Sequence, residues 1–185
     1  MLIGVIGKKQ SGKDTLADYL CNKYDFVKYS FADPLKKGVK EFFGFNDNQL
    51  WGDQKEIIDE RWGVTPREVL QIFGSEITQF QLPNLLPNFK FGRELWVKRF
   101  EYWYEDHNDL NVVIPDCRFI HEINSIKSKG GIIIRVNREL DNTNFSNHIS
   151  ENEWMKALPD FIIANNSSIE NYQKIIDQVM TEIKP

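Results

Sequence analysis

The patterning of the chain predicts an α/β fold, a five-stranded parallel sheet covered by helices on both faces, and three observations carry it. Short runs that are apolar almost throughout recur at 2–6 (LIGVI), 111–114 (NVVI), 131–136 (GIIIRV) and 160–164 (DFIIA), as strands buried on both faces require. Segments with apolar residues at helical spacing lie between them. A turn bounded by two glycines, GKKQSGK at 7–13, joins the first strand to the first helix.

In chain order, 2–6 is strand and 13–24 is helix, with Leu16, Ala17 and Leu20 at helical spacing. Residues 26–30 (FVKYS) alternate with a period of two and read as the second strand. Asp33 as N-cap and Pro34 at the first helical position open a helix. It carries Leu35, Val39, Phe42 and Phe43 on one side and stops at Gly44. Residues 45–64 show little pattern. Thr65-Pro66-Arg67-Glu68 joins a capping box to a first-turn proline and opens a helix over 65–80. Its apolar face is Val69, Ile72, Phe73, Ile77 and Phe80. Residues 81–92 read as loop, and 93–107 as a helix with Leu95, Phe100 and Trp103 facing in. Beyond the strand at 111–114, a helix over 118–129 ends at Gly130-Gly131. Ser167 and Glu170 form a capping box for a last helix, whose apolar face includes Tyr172, Ile176 and Val179. The 185 residues make one domain, with 33–107 and 138–152 as insertions at the ligand end of the sheet.

Charge and cysteine usage narrow the function. Lysine and arginine number 23 against 27 aspartates and glutamates, a net −4, which opposes duplex nucleic-acid binding but leaves room for a small basic pocket. Cys21 and Cys117 make no disulfide framework, and no window approaches the ~20 apolar residues of a membrane span. The N-terminal apolar run is too short for a signal peptide, so the expected compartment is the cytoplasm. A homodimer is left open.

The chemistry concentrates in Gly7–Thr15, the pattern GxxxxGK followed by Asp-Thr. Two glycines let the backbone wrap a phosphate with its amides inward, the helix N-terminus adds partial positive charge, and Lys13 reaches the phosphoryl oxygens. Asp14 stands where Ser or Thr normally holds Mg²⁺, and Thr15 supplies a hydroxyl one residue later. Asp116 and Arg118 follow the third strand, where ligands of open α/β sheets bind, and suit Mg²⁺-water or sugar contacts and phosphate clamping. Asp116 could equally cap the helix at 118–129. On the helix at 65–80, Arg67, Gln71, Gly74, Ser75 and Thr78 share one polar face. The glycine there is more intelligible if a ligand approaches the backbone, although a solvated face is the plainer alternative. By composition Trp96 reads as core, beside Phe100 and Trp103. Cys117 and His121 have metal-pair spacing but no second pair to complete four ligands, and His148 and Glu151 belong to a polar excursion.

These segments resemble the deoxynucleoside monophosphate kinases of tailed bacteriophages, and more loosely the wider nucleoside-monophosphate-kinase and phosphomevalonate-kinase group. The matching stretches are GKKQSGKDT (7–15), VKYSFADPLK (27–36), TPREVLQIFGSE (65–76), ELWVKRF (94–100), IPDCRFIHE (114–122), VNRE (136–139), NHISE (147–151) and FIIANNSS (161–168). The resemblance implies a three-layer P-loop NTPase fold with an NMP-binding insertion (33–107) and a short lid (138–152). It implies ATP and Mg²⁺ as cofactors and a dNMP as acceptor. Gly12, Lys13, Asp14, Thr15, Arg138 and Asn165 would serve ATP, with Asp14 and Thr15 toward Mg²⁺ directly or through water. Lys36, Arg67, Gly74, Ser75, Trp96, Asp116, Arg118 and Glu122 would surround the dNMP, and Lys13, Arg118 and Asp116 would act in catalysis. A phage-encoded enzyme of this kind would work in the host cytoplasm. The stretches 45–65 and 81–93 depart from the family's pattern, so base preference does not carry over. Two other readings stay open: a P-loop kinase acting on dephospho-coenzyme A or phosphomevalonate, and a nucleotide-binding module without transferase activity.

Overall fold

The computed structural model describes residues 1–139 and 153–183. The chain forms two compact units, Met1–Ser30 with Trp103–Pro185, and Phe31–Tyr102.

The first unit is built on five strands: β1 (Leu2–Ile6), β2 (Phe26–Lys28), β3 (Asn111–Ile114), β4 (Ile132–Asn137) and β5 (Phe161–Ala164). They lie in the order β2-β3-β1-β4-β5, with every pairing parallel. All five residues of β1 are buried, which is why this segment reads as a continuous apolar run. Helices α1 (Lys13–Tyr24) and α8 (Ile169–Ile183) share one core with the sheet, in which Leu16, Leu20, Tyr172 and Ile176 meet Val5, Ile134, Val136 and Ile163. On α7 (Ile120–Ser128), Ile126 lies with Ile133 of β4 against Gly4 of β1. Outside the core, Asp177 ties α8 to α1 by accepting from Tyr19 Oη at 2.9 Å, Tyr24 Oη at 2.8 Å and Lys23 Nζ at 2.8 Å. β2 is shorter than expected, although Tyr29 N still donates to Val113 O at 3.0 Å. The last helix starts later than the Ser167 box predicts: Ser168 Oγ accepts from Asn171 N at 3.3 Å, the geometry of an N-cap.

The second unit is helical. It holds α2 (Asp33–Phe43), α3 (Asp47–Leu50), α4 (Pro66–Gln71), a π-helix (Ile72–Gln81), α5 (Leu82–Leu85) and most of α6 (Leu95–Glu105). Its small core is Val39, Phe45, Leu50 and Val69. The Thr65 capping box forms as expected, with Glu68 N donating to Thr65 Oγ1 at 3.1 Å and Thr65 N to Glu68 Oε2 at 2.7 Å. Asp33 does not cap α2. It lies inside the helix, and its carboxylate accepts from Trp51 Nε1 at 3.0 Å.

The expected single helix over 65–80 changes winding at Ile72. π-turns bond i to i+5 and advance less per residue than α-turns, so positions after 71 slide off the α stripe. Phe80, expected in the apolar face, is half exposed, and so is Ile72 where the new winding begins. Phe42, at the flank of its stripe on α2, is 71% exposed, its ring 6.2 Å from that of Phe73.

Residues 45–64 owe their order to one buried carboxylate. Asp59 accepts from Arg61 N (3.0 Å), Nε (2.9 Å) and Nη2 (2.6 Å) and from Gln49 Nε2 (2.8 Å), while Arg61 also donates to Gly44 O. The Arg61 hydrogen bonds, then that from Gln49, hold the Asp59 carboxyl well below the usual carboxylate range. A depressed carboxylate contributes stability that is present above its unfolded pKa and lost as pH falls through the folded one. Asp59→Asn is accordingly expected to lower the melting temperature at pH 7, and the gap to wild type is expected to shrink below about pH 4. Thermal unfolding of both proteins across pH 3–7 checks this.

Candidate active site

The phosphate loop leaves the carboxyl end of β1, between β3 and β4, where the chain connections reverse direction. Gly7 (φ 147°) and Gly12 (φ 104°) adopt backbone conformations that side chains disfavour. A Cβ at Gly7 would stand 2.4 Å from Val136 O, and one at Gly12 2.3 Å from Asn165 Nδ2, so neither position accepts a larger residue. No side chain caps α1, which leaves its first amides facing the loop. Lys13 Nζ folds back onto the loop, donating to Gly7 O at 2.8 Å and Lys8 O at 2.5 Å. Asp14 and Thr15 are exposed on the first turn of α1. The buried Ser11 hydroxyl has no hydrogen-bond partner among the described residues.

The β5–α8 turn braces this loop. Asn165, 9% exposed, donates from Nδ2 to Ser11 O at 2.8 Å, and Tyr172 Oη donates to Gly12 O at 3.1 Å. Asn166 Oδ1 accepts from Glu139 N at 2.9 Å, just past exposed Arg138. Asn165, expected near ATP, thus touches the loop that would hold the nucleotide. The remainder of the expected lid, with His148 and Glu151, lies outside the described residues.

After β3, Asp116 accepts from Ser30 Oγ at 2.6 Å and does not cap the next helix. That end is closed by Glu122, whose Oε2 accepts from Arg118 N at 2.8 Å and Phe119 N at 3.0 Å. The reason is local: the helix begins at Ile120, too late for Asp116 to reach its first turn. Glu122 is 4% exposed. Burial pushes its carboxyl up to about 8 against the two backbone donors, and the Asp116 charge adds to the rise. Arg118 is exposed.

The other predicted residues lie in the second unit. Gly74 is buried, and a Cβ there would meet Leu35 Cδ2 of α2 at 2.5 Å. Leu35 thus lies against the glycine at which the sequence pointed to a ligand approaching the backbone. Its carbonyl accepts from Trp96 Nε1 at 3.0 Å, which brings those two predicted residues together. Trp96 is of intermediate burial, less covered than Val97 and Phe100 beside it. Lys36 lies 5.5 Å from the centre of the Trp51 ring and 3.8 Å from Asp33 Oδ1. Arg67 Nε donates to Glu56 Oε1 at 2.8 Å. Arg67 stays on α4 while Gly74 and Ser75 fall on the π-helix, so the single polar stripe does not persist.

With this geometry in view, the known relatives are informative. A family model described as deoxynucleotide monophosphate kinase matches residues 1–59 and 45–176. A protein of Acanthamoeba polyphaga mimivirus bearing the same family name is 40% identical over 191 residues, covering 97% of this chain and 96% of that protein. The chain belongs to the deoxynucleotide monophosphate kinase family. The deoxynucleotide monophosphate kinase of Enterobacteria phage T4 is 26% identical, with 91% of this chain and 94% of that enzyme aligned. Among solved structures, TT1252 of Thermus thermophilus superposes with a TM-score of 0.52 at 15% identity, covering 100% of this chain and 98% of that one. Dephospho-CoA kinase of Campylobacter jejuni gives 0.51 at 15% identity, covering 98% and 96%. These two likenesses show the P-loop kinase fold.

In this family member the sequence did not single out Ser30, Glu56, Trp51, Tyr172 as a loop brace, or Gln79. Most act through partners distant in sequence, Ser30 and Asp116 standing 86 residues apart, whereas Gln79 bonds Gly74 only five residues back. Only the run YSFADP, shared with the family, flagged Ser30 at all.

The Glu122 geometry generates a prediction. Glu122→Gln keeps an acceptor for both amides, whereas Glu122→Ala strands them at about 1–3 kcal/mol each. A carboxyl with a raised folded pKa binds its proton more tightly in the native state, so its contribution to stability falls as pH rises from about 4.5 to about 8. Glu122→Gln is expected to remove that slope, and Glu122→Ala to be destabilised at every pH, as read by denaturant unfolding between pH 4.5 and 8.5.

Proposed function

We propose that the chain transfers the γ-phosphoryl group of ATP to a deoxynucleoside monophosphate, yielding dNDP and ADP. The observation that carries this is the glycine loop at the head of an uncapped α1, with the Lys13 ammonium folded over it. Such a loop offers inward amides, a helix N-terminus and one cation to a chain of phosphates.

The acceptor's phosphate oxygen is already anionic, so no strong general base is required. Catalysis then rests on alignment and charge neutralisation. Lys13 exchanges its two carbonyl partners for phosphate oxygens. Arg118, on a turn held rigid by Glu122, clamps transferred or acceptor phosphate. Asp116, oriented by Ser30, faces the acceptor sugar or a metal-bound water. The oxygen donors on the first turn of α1, the Asp14 carboxylate and Thr15 hydroxyl, are exposed and of the hard type that Mg²⁺ takes, chiefly through its waters. Mg²⁺ held there would neutralise phosphate charge. Lys36, Arg67, Ser75 and Trp96 serve the dNMP, Glu122 positions its clamp, and Arg138 opens the lid. Free mononucleotides, not nucleic acid, are the partners that an acidic chain with a small basic site suits, and the cytoplasm is where they occur.

A coupled assay with ATP and a panel of acceptors tests the reading. Turnover of dNMPs, with dephospho-coenzyme A and phosphomevalonate inert, supports it; the reverse pattern, or ATP binding with no acceptor turned over, refutes it. Lys13→Ala is expected to cost at least about 10²–10³ in kcat with an unchanged circular dichroism spectrum. Arg67→Ala is expected to raise KM for the dNMP roughly 10- to 150-fold, the worth of a charge-assisted hydrogen bond, while KM for ATP stays within about twofold. Parallel steady-state titrations of both substrates decide it.

A further inference from the structure

The carbonyl of Gly74 is oversubscribed. It accepts from Thr78 Oγ1 at 3.1 Å, Gln79 Nε2 at 2.8 Å and Trp96 Nε1 at 3.0 Å. A carbonyl oxygen has two lone pairs, so three side-chain donors leave one in surplus. The hub also sits on a π-helix of ten residues, Ile72–Gln81, where runs of that winding are rare and cluster at functional sites.

The three donors are not equivalent. Thr78 makes the ordinary back-bond of a helical threonine to the carbonyl four residues earlier. The Trp96 indole offers a donor and nothing else, and its ring stays half buried whichever partner the N–H has. Gln79 carries a donor and an acceptor on one planar amide and is 7% exposed, one of few buried polar side chains among the described residues. If Gln79 releases Gly74, the carbonyl still keeps two donors and no buried group is stranded. An amide freed in this way has the pairing capacity of a nucleobase edge, which also presents a donor beside an acceptor.

We propose that Gln79 is a specificity-determining residue that reads the base of the acceptor nucleotide, its amide passing from Gly74 O to a base edge that abuts Trp96. This rests on the reading of the second unit as the acceptor site and adds the group that distinguishes one base from another. Held in one orientation, the amide pairs with an edge that presents an acceptor and a donor in the complementary order, and that order differs between the amino bases of dAMP and dCMP and the keto bases of dGMP and dTMP.

The test is kcat/KM for the four dNMPs in wild type, Gln79→Met and Gln79→Glu, with KM for ATP and the melting temperature measured alongside. Methionine fills the same space and leaves Gly74 O satisfied by Thr78 and Trp96. Gln79→Met is expected to lose roughly 5- to 150-fold in kcat/KM for the preferred acceptors, the effect of leaving a buried polar edge unpaired. The four values should converge, with KM for ATP unchanged. Gln79→Glu, which only accepts, should favour dGMP, whose N1–H and 2-amino group offer two adjacent donors, over dAMP, dCMP and dTMP, each of which sets an acceptor beside its donor. Equal loss on all four acceptors, or an unaltered ranking in a destabilised protein, would make Gln79 a clamp for the π-helix and overturn the inference. A wild type that phosphorylates none of the four would instead overturn the reading of the chain as a dNMP kinase, so the two failures are distinct.

Discussion

The short contact between the phosphate loop and the carboxyl ends of β4 and β5 organises the first unit. Val136 O leaves no space for a side chain at Gly7, and Asn165 Nδ2 leaves none at Gly12. The same asparagine holds Ser11 O, and Tyr172, wholly buried in the sheet's core, reaches up to Gly12 O. The loop's curvature is therefore imposed from beneath by groups rooted in the core. A backbone that must present several amides to one anion gains from such preorganisation, because little reorganisation remains when the anion arrives.

The turn after β3 follows the same logic with a different group. Glu122 places one carboxyl oxygen on two consecutive amides, so the residue that exposes Arg118 is itself buried. Asp116 points the other way, toward Ser30 on the segment after β2. A cation and an anion two residues apart are thus held by different hydrogen-bond partners, although the Asp116 charge also acts on Glu122.

In the second unit, backbone carbonyls do the organising. Arg61 donates to Gly44 O, Trp62 Nε1 to Phe43 O at 2.9 Å, and three side chains converge on Gly74 O. These bonds hold a helical segment with a small apolar core, in which Phe45 and Leu50 are almost wholly buried although their neighbourhood carries little periodic pattern. Sequence periodicity reports cores built on long regular faces. It says little where a four-residue helix and the ion pair of buried Asp59 with exposed Arg61 supply the order.

Local chemistry alone determined the five strands, the glycine loop, the Thr65 capping box and the residue types around the phosphates. Each rests on neighbours within a few positions, through side-chain periodicity, positive φ or a capping hydrogen bond. Tertiary structure decided what each polar group touches. Asp33 meets Trp51 in place of its own helix end, Asp116 meets Ser30, and Asn165 braces the loop. Leu35 packs against Gly74, and the winding changes at Ile72, so the stripe read along 65–80 does not survive. A hydrogen bond acts over about 3 Å, and which atoms come within that range across 18 to 154 residues of chain is settled by packing, which no local pattern encodes.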